Sequence, residues 1–204
     1  MPYQQEYIQK FDREQSREIQ NTLSQVLSVS FPDNSLIQVW IEKREGWVAV
    51  PISVTDDFTD FASAVLRIAA DSSYRELLGV FLETETNDPI AFSVGSNING
   101  VSEFNVEPPS SHKVIFAGAP DWVILMAESD FYVVAGPVPI VEKFVSSVHQ
   151  AFREFEKYIE LWEFPEQFAE RLQSLKDVLW RIYRNTLEGY QNAPVGSRVN
   201  LYAV

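Results

Sequence analysis

Between Leu36 and Ala135 the chain is cut into short β-branched and aromatic runs by turn-forming residues, and this segmentation constrains the fold more than any other feature. Leu36 to Glu42 and Trp47 to Val54 flank Lys43-Arg44-Glu45-Gly46, a spacing that predicts a β-hairpin with Gly46 in the turn. Gly79 to Thr86 and Ile90 to Ser96 flank Asn87-Asp88-Pro89 and predict a second pair. Asn99-Gly100 reads as a turn before a weaker strand at Val101 to Val106. Val114 to Ala117, Trp122 to Ala127 and Phe131 to Ala135 then read as three short strands, the middle one apolar throughout, as a strand covered on both faces would be. The expectation is one antiparallel sheet of about six to seven strands.

Helical periodicity flanks this region. Ile8, Phe11, Ile19, Leu23, Val26 and Leu27 recur at helical spacing and predict an N-terminal helix from about Gln4 to Val29. Thr55-Asp56-Asp57 supplies a cap and first-turn acids for a crossing helix carrying Phe58, Phe61, Val65 and Ile68 towards Leu78. From Pro139 the positions Val141, Phe144, Val148, Phe152, Phe155, Ile159 and Trp162 form one long stripe, which Phe164-Pro165 interrupts before Phe168, Leu172, Leu175, Leu179 and Ile182 resume it. The predicted architecture is a single α+β domain over 1–204, with helix and sheet in 1–137, a C-terminal helical hairpin in 138–189 and an extended tail in 190–204. This order of elements, with an acidic surface, is loosely similar to secretion-chaperone-like and some immunity-protein folds, although no motif of either is present.

Charge is the strongest functional signal. Between Pro51 and Glu142, fourteen acidic residues face only Arg67, Arg75 and Lys113, a net charge of −11 out of −13 for the whole chain. A field of that sign repels phosphate backbones and anionic lipid and attracts basic surfaces. Neither nucleic-acid binding nor membrane association is therefore expected. The chain has no cysteine, which excludes disulfides, thiolate nucleophiles and cysteine-ligated metals and fits a cytoplasmic location. Met1 to Ser30 holds no apolar run of the signal-peptide kind.

The residues able to do chemistry are few. His112 and His149 are the two histidines, and His112 sits beside Ser110-Ser111 without the orienting acid or oxyanion site that a nucleophilic triad needs. Glu83 and Glu85, two apart on a predicted strand, point to one face and with Asp88 form an acidic cluster that has no calcium-loop spacing. No glycine-rich phosphate loop occurs. No cofactor and no metal are expected.

Three functions follow, in order. The first is a non-catalytic acidic binding protein, an inhibitor, chaperone or regulatory subunit for a basic protein partner, using Glu83, Glu85 and Asp88 with Trp40 and Trp47 as aromatic anchors. The second is a self-associating structural protein, a homodimer through Phe155, Ile159, Trp162, Phe168 and Leu172. The third is a hydrolase or metal-dependent enzyme that gathers Glu83, Glu85, Asp88 and His112 in one pocket.

Overall fold

The computed structural model describes residues 7–30, 38–41, 47–53, 58–71, 76–82, 90–106, 112–126, 131–145 and the helical positions 150, 151, 153, 154 and 157. The elements run β1 (Ile8–Lys10), α1 (Arg13–Leu23), β2 (Leu27–Ser30), β3 (Gln38–Ile41), β4 (Trp47–Ser53), α2 (Phe58–Asp71), β5 (Leu77–Phe81), β6 (Ile90–Val94), α3 (Ile98–Val106), β7 (Lys113–Ala117), β8 (Trp122–Met126), β9 (Phe131–Pro137) and α4 (Val138–Phe144). Seven strands form one antiparallel sheet in the order β1-β6-β5-β7-β8-β9-β4, and β2 and β3 form a separate antiparallel pair. The fold is α+β, as the strand pattern predicts.

The central strands follow the expected reading. β7 and β8 are buried at every position, which explains why neither alternates in sequence. Gly118 holds a positive φ of 71° in the turn between them, a conformation that favours glycine. The adjacent β5–β6 pair also forms, but β5 spans Leu77–Phe81 and not Gly79 to Thr86: α2 ends at Asp71, so Leu77 and Leu78, expected at the end of the crossing helix, belong to the strand.

Four further expectations are corrected. The N-terminal helix does not span Gln4 to Val29. Asp12 caps α1 through its carboxylate, which accepts from the Gln15 backbone N–H at 2.9 Å, while the Gln15 side chain accepts in return from the Asp12 N–H. The chain before this box is strand β1, and Ser16 continues its role: the Ser16 hydroxyl, buried in α1, accepts the Ala91 N–H of β6 at 3.2 Å just past the last β1 pairing. Leu27 belongs to β2.

The first predicted hairpin is also replaced. β3 pairs with β2, with Ser28 opposite Trp40, and β4 pairs with β9, with Val50 opposite Val134. Pro51 accounts for part of this, because a strand that lacks an N–H fits only at a sheet edge, and β4 is the last strand in the order.

The predicted strand Val101 to Val106 is helix α3. The Asn97 carboxamide accepts the Gly100 N–H at 2.9 Å and the Asn97 carbonyl accepts the Val101 N–H at 3.2 Å, so Asn97 opens a helix rather than a turn. Gly100 serves close packing: a Cβ there would overlap the Gly95 carbonyl.

The long helix from Pro139 is shorter than its stripe. α4 ends at Phe144, because Val145 adopts extended backbone with φ −109° and ψ 141°, and helical backbone recurs at Gln150 and Ala151. Apart from the helical positions Arg153, Glu154 and Lys157, the remainder of the predicted C-terminal hairpin and the tail lie outside the described residues, as does the Thr55 cap.

Two aromatic clusters fix α2, α3 and α4 to one face of the sheet. Phe104 of α3 is fully buried against Phe81 and Phe92, with ring centroids 5.6 and 5.9 Å away, and a Cβ at Gly79 beneath it would overlap the ring. Phe61 of α2 stacks on Tyr132 at 4.4 Å and meets Phe144 of α4 edge-on at 5.9 Å. Burial raises the Tyr132 phenol above its ordinary pKa of 10.0. In the unfolded chain the phenol ionises at its ordinary value, so above that pH the unfolded state loses a proton that the fold retains, and stability falls until the raised value is passed. Urea denaturation between pH 9 and 11 is expected to show this alkaline loss, and Tyr132→Phe is expected to reduce it.

Trp122 is fully buried, and its Nε1 finds no hydrogen-bond partner among the described residues. An orphan donor is a standing cost, so Trp122→Phe removes both ring volume and that cost. We expect its thermal midpoint to fall less than those of the other large core truncations.

Candidate functional site

Antiparallel pairing places the C-terminal ends of β4, β5 and β8 and the N-terminal ends of β6, β7 and β9 at one end of the sheet. A single row, Ile52, Tyr132, Met126, Lys113, Phe81 and Ile90, marks that end across six strands. Every strand from β4 to β9 is free of carboxylates, because positions inside a two-sided sheet cannot hold unpaired charge. The acids of 51–142 consequently fall in links and helices. The described residues that flank segments 54–57 (Asp56, Asp57), 83–89 (Glu83, Glu85, Asp88), 107–111 (Glu107) and 127–130 (Glu128, Asp130) stand at the marked end, and the segments themselves lie outside the described residues. Asp121 and Glu76 stand at the opposite end.

The one basic residue in the marked row is turned inward. Lys113 is only 7% exposed, and its Nζ donates to the Asn105 carbonyl at 2.7 Å and the Phe104 carbonyl at 3.3 Å while lying 5.3 Å from the centre of the Phe81 ring. The ammonium thereby closes the negative end of α3 and gains a cation–π contact. Its charge serves the helix end and is withdrawn from solvent. Arg67 lies towards the far end of α2, where its Nε donates to the Lys143 carbonyl at 3.4 Å.

Among the sequence-predicted site residues, Glu83, Glu85 and Asp88 lie outside the described residues. The residues that flank them are fixed: Phe81 pairs with Ile90, and the Leu82 N–H donates to the His112 carbonyl at 3.0 Å. His112 is buried next to Lys113 at the same end. Trp47 is 8% exposed, so it is a core residue and not a surface anchor. Trp40 lies in β3, opposite Ser28, in the pair that is separate from the main sheet. His149, Phe155, Ile159, Trp162, Phe168 and Leu172 lie outside the described residues. No group of three or more histidine and acidic side chains that could hold a metal ion occurs among the described residues.

Sequence reasoning missed Val106. It is the last residue of α3, 73% exposed, and it stands at the marked end because Lys113 ties that helix end to the row. The signal was Asn97 three residues before Gly100, which opens a helix whose buried positions are Val101 and Phe104 and whose last turn ends in Val106.

Comparison with protein-family models, curated proteins and solved structures returns no match to this chain. No helix among the described residues is long and apolar enough to cross a membrane.

Proposed function

We propose that this chain is a non-catalytic binding protein that docks a basic protein partner, as an inhibitor, chaperone or regulatory subunit in the cytoplasm does. The observation that carries this reading is the topology of the sheet. It brings the described residues that flank the segments bearing Asp56, Asp57, Glu83, Glu85, Asp88, Glu107, Glu128 and Asp130 to the end where the one basic residue of the row, Lys113, is buried, and the reading takes those acids to lie there too. Charges grouped at one end generate a directed field, which steers a partner of opposite sign and sets its orientation. Val106 adds an exposed apolar contact beside that field.

Affinity capture on the immobilised full chain at low and high salt tests the proposal. The expected result is retention of a basic protein at about 50 mM salt and its release at about 500 mM, because exposed charges beyond a Debye length are screened. Retention that is indifferent to salt, or capture of nothing except further copies of this chain, contradicts it.

A further inference from the structure

We draw no further inference here: the strongest candidate, the exposed apolar pair Ile98 and Val106 along α3 near Tyr7 at the β1 edge of the sheet, carries nothing because nothing in the structure shows what covers it.

Discussion

Phe104→Ala is expected to cost about 3–5 kcal/mol of folding stability, among the largest losses from a single truncation of the described residues. The ring is fully buried, fills the space above Gly79, and touches Phe81 and Phe92, so its removal takes away the contact that joins α3 to β5 and β6. The β5 backbone beneath it is held by pairing on both sides and cannot rise to close the void. Urea denaturation followed by circular dichroism measures the loss. A change below about 1 kcal/mol would show that the ring does not pack as described. Gly79→Ala attacks the same contact from below by overpacking and is expected to cost about 1–3 kcal/mol. In the double variant the alanine methyl no longer meets a ring, so the two losses should add to less than their sum, the mark of a direct contact.

Neutralising four acids of the segments that connect strands at the marked end, Glu83→Gln, Glu85→Gln, Glu128→Gln and Asp130→Asn, is expected to weaken binding of the basic partner by about fivefold or more. Each exposed ion pair contributes about 0.2–1 kcal/mol, and four of them sum to about 1–4 kcal/mol. Total charge alone is controlled by a second variant that removes the same number of charges elsewhere, Asp71→Asn, Glu76→Gln, Asp121→Asn and Glu142→Gln. That variant is expected to bind within about twofold of the parent, apart from a slower association common to any loss of negative field. Calorimetric titration of the purified partner into each protein separates the cases. Equal weakening by both variants would mean that the acids act only through net charge. Neither set is expected to lower thermal stability, since relief of like-charge repulsion opposes any lost surface pairs.

The sheet was legible in the sequence where local chemistry and tertiary position agree. β6 to β9 are bounded by glycine, proline and acidic turns and filled with β-branched and aromatic residues, and each appears where that pattern places it, Pro137 closing β9, whereas β5 begins at Leu77, inside the span expected for the crossing helix. Pairing partners were not legible. β4 and β9 are separated by the whole of the intervening chain, and only Pro51 hinted that β4 must be an edge. The N-terminal helix was overextended because Ile8 and Phe11 fall by coincidence on the stripe of Ile19 and Leu23, while the stronger local signal was the reciprocal Asp12/Gln15 cap. At Asn97 to Gly100 the competition ran the other way, a turn dipeptide masking a helix start. For the candidate site, the sequence disclosed how many acids the middle of the chain carries and not where they go. Which end of the sheet the acid-bearing segments connect depends on strand direction, which no local pattern encodes. Nor could composition show that Lys113 faces inward, since its burial requires the end of α3 to arrive beside β7.

The claim that the acidic end is the docking surface is tested most directly by amide hydrogen exchange on the full chain with and without its captured basic partner. The account predicts slowed exchange in peptides covering 82–90, 105–113 and 126–131, with little change at 72–76 and 118–121. Protection confined to those opposite links, or to 155–172 in the C-terminal third, would contradict it.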